Sequence, residues 1–285
     1  MSSKLLIGVA SALIGAALFT APALGQRAGR GDARPDATAR PTPRTGDGHP
    51  DLSGVWSRGG GPTAAIVPGQ NIQVLFPVVR VGPDSKEIFD DMDKFAQERQ
   101  RANPNKPPYK PELMAKVADL SQRRQFLDGV FYCKPNGVPR VGLPSQITQT
   151  KDMVVFLYEA RTTFRVIPID GRPHRTDQDP SYMGDSVGHW EGDTLVVDVN
   201  NLTDDSWLGA DGWMHSDVTH VVERYTRNGD TLDWSATVED PKVLTKPWVM
   251  TPQSVRLNSD PKAMLEEEPP CVEQDGPHIV TNDHH

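Results

Sequence analysis

Between about residues 145 and 240 the chain breaks into short runs of Val, Ile, Thr and aromatic residues, each closed by a turn signal. MVVFLYEA is followed by TTFRVIPI and the turn DGRP. HWEGDTLVVDV turns at Glu191–Asp193, and VTHVVERYTRNGDTLDWSATVED turns at Asn228–Gly229–Asp230. β-branched runs between glycine-containing turns are strand chemistry. The strings EGDTLVVDV and NGDTLDWSATV look alike because both need a glycine turn that feeds a β-branched strand. At least six consecutive short strands at this spacing predict a mostly β fold. The architecture expected is an antiparallel calycin-like β-barrel or a strongly curved meander sheet. Much of the charge in GDSVGHWEGDTLVVDV is then turn chemistry.

A different period precedes the strands. Residues 84–101 place Ile88, Phe89, Met92, Phe95 and Ala96 at helical spacing among charges, and residues 111–127 do so with Leu113, Met114, Val117 and Leu120. Pro111 suits a first helical position. A short two-helix insertion at about 84–127 is expected. Upstream, residues 26–48 are rich in Arg, Pro, Gly and Asp and nearly free of large apolar side chains. Such a segment buries too little surface to offset its ordering entropy, so it reads as a disordered linker. Residues 49–285 then form a single domain with a substantial core.

Lys4, the apolar run Leu5–Phe19 and the small residues of APALGQ have the form of a secretory signal peptide ending near residue 25. The run is shorter than the ~20 residues of a membrane-spanning helix. The mature protein is therefore expected in the periplasm or secreted, with no membrane span. Removing Lys4 moves the net charge from −8 to −9. An acidic chain without basic clusters argues against nucleic-acid partners. Cys133 and Cys271 are the only cysteines, and an exported pair of this kind is expected to form a disulfide; two separate buried thiols are the alternative. No Cys/His cluster has metal-site spacing, and no glycine-rich loop leads a strand into a helix, so neither a metal nor a nucleotide cofactor is expected.

Taken together, PDLSGVW, CKPNGVPR, GDSVGHWEGDTLVVDV, HVVERYTR and VEDPKVLTKPW resemble blocks of a large group of exported bacterial proteins with no established activity. The LSGVW block is also similar to the Gly-x-Trp entry of calycin barrels such as lipocalins, where the tryptophan closes the barrel floor. That resemblance implies a barrel fold and carries no catalytic residue across.

The chemistry-bearing residues cluster around the strands. His215, His220 and Glu223 invite a metal reading, but at ~3.3 Å per residue His215 and Glu223 lie roughly 26 Å apart along one strand. Alternation puts His220, Val222 and Arg224 on one face, and Thr219, Val221, Glu223 and Tyr225 on the other. Whichever set faces inward offers a buried acid or base, or a bracing network. Asp185 with His189 is a second acid–base candidate pair. Arg165 and Arg224 are candidates for substrate contact, and His174 is a weaker one. Gly184-Asp185-Ser186 resembles the nucleophile block of GDSL hydrolases, but it sits mid-chain before a hairpin rather than opening an α/β domain. The long connection from Asn200 to Asp217 carries Trp207 and Trp213, which either cover a ligand or pack on the barrel. Two functions follow as expectations. One is a cofactor-independent lyase, isomerase or hydrolase acting on a small, largely apolar or aromatic molecule through His220, Glu223, Asp185, His189 or His215. The other is a lipocalin-like binding protein without catalysis.

Overall fold

The computed structural model describes residues 40–57 and 105–265. The expected signal peptide, most of the expected linker, the first amphipathic segment and Cys271 lie outside the described residues. The strands are β1 (Gly54–Ser57), β2 (Gln146–Gln149), β3 (Met153–Tyr158), β4 (Thr163–Pro168), β5 (Asp185–Glu191), β6 (Thr194–Asn200), β7 (His220–Asn228), β8 (Thr231–Glu239), β9 (Trp248–Val249) and β10 (Gln253–Leu257). They pair antiparallel in the order β4-β3-β2-β1-β10-β8-β7-β6-β5, and β9 adds to β8. The expected barrel forms, nearly closed. The strand β1 joins the β2–β4 meander to the larger β5–β8 meander, because it pairs with β2 on one side and β10 on the other.

The two hairpins read from the sequence close as two-residue turns. Glu191 faces Thr194 and Asn228 faces Thr231 across the ladder. Gly192 and Gly229 take φ of 59° and 60°, the left-handed conformation that lets a two-residue turn follow the twist of its strands. The strand alternation resolves as one of the two faces considered. Val221, Glu223, Tyr225 and Arg227 of β7 point inward, while His220, Val222 and Arg224 point out. Trp56, Phe156, Tyr225 and Trp234 are fully buried and fill the barrel interior with Leu195, Val197, Leu232 and Val238. Phe156 and Tyr225 meet with ring centroids 4.8 Å apart. At one end the Trp56 indole donates to the Leu52 carbonyl at 2.9 Å, and the Arg227 guanidinium lies 5.1 Å over its ring.

The first and last strands of the path, β4 and β5, meet side by side at a seam. Their contact is made by side chains. Gly188 permits it: a Cβ there would lie 2.9 Å from Ile169 Cγ2 and 3.0 Å from Ile167 Cγ2.

Two expectations need correction. Residues 40–48, assigned by composition to a disordered linker, are ordered along the barrel. Arg44 holds Asp193 at 2.6 Å, Arg40 holds Asp230 at 3.0 Å, and the Thr42 hydroxyl accepts the Gly229 N–H at 2.9 Å. Composition counts apolar surface, whereas this segment is fixed by hydrogen bonds and ion pairs to the two hairpin turns. In the expected helix at 111–127, a 3-10 turn Pro111–Leu113 leads into α1 (Met114–Gln122) and a short α2 (Arg124–Leu127). Leu113, Val117 and Leu120 pack inward, but Met114 is exposed, because it sits about 100° around the helix from Leu113.

Candidate functional site

The sequence of β4, TFRVIP, alternates so that Arg165 and Ile167 face the interior. A guanidinium only 3 % exposed must be paired, and its partner comes from across the barrel. Arg165 Nη1 lies 2.6 Å from Glu223 Oε2, and Glu223 is itself 0 % exposed. The other oxygen of Glu223 accepts the Tyr225 hydroxyl at 2.9 Å and the Trp234 indole N–H at 3.2 Å. Burial works against the charge on Arg165, but the Glu223 carboxylate and the neighbouring phenols outweigh it and hold the guanidinium protonated. Burial pushes the Tyr158 phenol up to about 12, so it remains a neutral hydroxyl beside Arg165. The sequence named both charges separately, Glu223 from strand alternation and Arg165 as a candidate for substrate contact. Their meeting follows from barrel closure.

The far side of Arg165 reaches the seam. Its Nε and Nη2 donate to Ser186 Oγ at 3.3 and 2.9 Å, and its Nη1 donates to the Tyr158 hydroxyl at 3.4 Å. Ser186, on β5, is buried. Arg165 and Ser186 line a cleft of about 510 Å³ between β4 and the segment that leads into β5. Phe164, Val166 and Met183 supply its apolar surface, and Arg175, Asp177 and Asp179 line it as well. Bond accounting fixes what this cleft presents. Ser186 Oγ accepts two hydrogen bonds from Arg165 and, among the described residues, gives its own proton to no acceptor. One donor, the Ser186 hydroxyl, therefore remains for whatever occupies the cleft.

Outside the barrel, carboxylates and histidines alternate across four strands. His174 Nδ1 lies 2.8 Å from Asp185 Oδ2 and its Nε2 lies 2.8 Å from Asp198 Oδ1. Asp198 also meets His220 Nε2 at 2.8 Å, and His220 Nδ1 is 3.6 Å from Glu239. Each of the two rings thus stands between two carboxylates. Asp185 further accepts the Arg175 backbone N–H at 3.0 Å and its Nε at 2.6 Å. Burial opposes ionisation of Asp185, but the bonds from His174 and Arg175 prevail and hold its pKa below the ordinary aspartate value. The chain of charges thus touches the cleft through Arg175, which Asp185 holds.

The remaining candidate residues are dispersed. His189 is exposed on the outer face, 3.3 Å from Glu191, which also pairs with Arg224. Asp185 and His189, considered as a pair, are not in contact, and the partner of Asp185 is His174. His220 and Glu223 face opposite sides of β7. His215 is buried in a separate network. Its Nε2 meets Ser206 Oγ at 2.8 Å, and its Nδ1 meets the Ser216 carbonyl at 3.0 Å and Thr219 Oγ1 at 3.1 Å. Asp240 closes that network by accepting Thr219 Oγ1 at 2.6 Å and the Ser216 N–H at 2.7 Å. Burial lowers the His215 pKa, so the ring is neutral and braces the connection before β7. Trp207 is buried in a bridge to Met214, and Trp213 packs edge-on to Trp248 with centroids 5.3 Å apart. Both tryptophans take the packing role. Among the described residues, no group of three or more His, Cys, Asp or Glu is placed to hold a metal ion, and no helix is long and apolar enough to cross a membrane.

Ser186, Asp198, Asp177 and Asp179 were not among the residues that the sequence singled out for binding. The GDS block did mark Ser186, though for nucleophilic chemistry. Its actual neighbour, Arg165, comes from the other end of the sheet. Comparison with known protein families, with curated proteins and with solved structures finds no match to this chain, so the seam and its donor are what a functional reading has to stand on.

Proposed function

We propose that this is an exported small-molecule-binding protein whose ligand seat is the cleft at the β4–β5 seam. One observation carries the reading: a buried serine, held by a buried arginine and lining an open cleft, keeps a hydrogen-bond donor with no acceptor among the described residues. Unsatisfied buried donors cost free energy unless a ligand or water takes them. Apolar walls beside a few convergent polar groups are the ordinary make-up of a ligand site. The site differs from the lipocalin arrangement considered above, since large side chains occupy the barrel interior and the cleft opens through the wall. Export, membership of the group of exported bacterial proteins with the LSGVW and WEGDTLVVD blocks, and a Cys133–Cys271 disulfide belong to the same proposal. The support for the disulfide is that Cys133 is not a free thiol.

The test is a screen of small organic molecules by backbone amide NMR, repeated on Val166→Trp. Val166 is exposed on β4 and lines the cleft, so a larger ring fills the site without entering the core. Hits that shift the amides of residues 164–166 and 184–186 and vanish in Val166→Trp support the reading. Hits that bind equally well to the variant reject it.

A second reading is a cofactor-independent acid–base enzyme acting in the same cleft. Its specific support is the His174–Asp185 pair, which stands directly behind Arg175 on the cleft wall. An imidazole held between two carboxylates is fixed in place for proton transfer, and transfer by a positioned side chain contributes typically 10²–10⁴-fold. If catalysis occurs, His174→Asn lowers turnover of a bound compound by that order while its affinity holds. An unchanged rate assigns the pair to holding the wall.

A further inference from the structure

Resting on the reading of the cleft as a ligand seat, we propose that its ligand is an amide or ester that turns its neutral carbonyl to the cleft and bears an ammonium group at its other end. The cleft recognises an acceptor oxygen, because the Ser186 hydroxyl is the donor left over among the described residues. A hydroxyl donor suits carbonyl, carboxylate and phosphate oxygens alike, so charge must decide between them. Each cation that reaches the cleft is already neutralised. Arg165 faces Glu223 at 2.6 Å and Arg175 faces Asp185 at 2.6 Å. Asp177 and Asp179 line the same cleft, are exposed, and have no ion pair among the described residues. The site is therefore net negative. An anionic head would meet cations whose positive charge is spent, in a field of unpaired carboxylates. A neutral carbonyl keeps the Ser186 hydrogen bond without that repulsion. An ammonium group at the mouth gains Asp177 and Asp179, while Phe164 and Val166 cover an apolar body between the two ends.

The experiment uses three probes that share one benzamide carbonyl and one ring and carry short tails of opposite or no charge. They are N-(2-aminoethyl)benzamide, N-propylbenzamide and N-benzoylglycine, titrated into the protein and followed by amide NMR. The ammonium probe is expected to bind about three- to tenfold more tightly than the neutral one, the scale of one or two exposed ion pairs. The carboxylate probe is expected to bind most weakly. The preference should shrink as sodium chloride is raised, since exposed charges are screened. Asp177→Asn with Asp179→Asn, both surface changes, should bring the ammonium and neutral probes to equal affinity. Ser186→Ala should weaken all three together. Equal affinities, or a preference for N-benzoylglycine, with shifts at residues 164–166 and 184–186, overturn the ligand class and leave the cleft as the seat. Shifts confined to other parts of the barrel, or no binding by any probe, overturn the proposed class together with its placement.

Discussion

Replacing Glu223 by glutamine exchanges one oxygen for an amide nitrogen in the driest part of the barrel. The volume is kept, and the remaining oxygen can still accept from Tyr225 and Trp234. What is lost is the negative charge 2.6 Å from Arg165, which leaves a guanidinium stranded where water does not reach. Breaking a buried pair from one side costs about 3–5 kcal/mol. In a domain of this size each kcal/mol moves Tm by roughly 2–4 °C, so a fall of about 10 °C or somewhat more is expected. Urea unfolding followed by circular dichroism measures it. Arg165→Met strands the opposite charge and should cost a similar amount, whereas the double variant strands neither. The double should therefore recover at least half of the summed loss. A Glu223→Gln loss below about 1 kcal/mol, or strict additivity of the two changes, refutes the argument that this pair is held together by mutual neutralisation.

Burial holds His215 below the ordinary histidine pKa, so the unfolded chain takes up a proton that the folded one refuses, and stability falls as pH drops through the unfolded value of about 6.5. His215→Asn should be less stable than the parent at pH 8 and should lose stability less steeply toward pH 5, measured by urea unfolding at both. Cys271→Ser is expected to lower stability by about 2–4 kcal/mol if Cys133 and Cys271 are bridged, and non-reducing mass spectrometry of the native protein should find no alkylatable thiol. Trp213→Ala removes the edge-on contact with Trp248 and should cost about 3 kcal/mol of stability without weakening cleft binding. Weakened binding at unchanged Tm would instead make Trp213 part of the ligand seat.

The fold was legible where local chemistry decides it. The glycine turns at 192 and 229 and the period-two runs around them gave the hairpins. Alternation along β7 correctly separated His220 from Glu223 but left open which face was buried, since that depends on closure against β3 and β4. Closure is non-local, and the cleft is its product: Arg165 and Ser186 are neighbours because β4 and β5 terminate the two meanders. No spacing rule encodes that. The same holds for Asp185, whose partner is His174 from the connecting segment rather than His189 two pleats along its own strand. Composition failed for residues 40–48, because an anchor made of arginines on hairpin aspartates has no apolar signature.

The account stands or falls on where a small molecule binds. The direct measurement is amide-resolved NMR of the protein titrated with N-(2-aminoethyl)benzamide, alongside Val166→Trp. The expected result is a saturable set of shifts centred on Arg165, Gly184 and Ser186 that is lost in Val166→Trp. Saturable shifts centred instead on the 200–217 connection, or unchanged by filling the cleft, would contradict the assignment of the β4–β5 seam as the site.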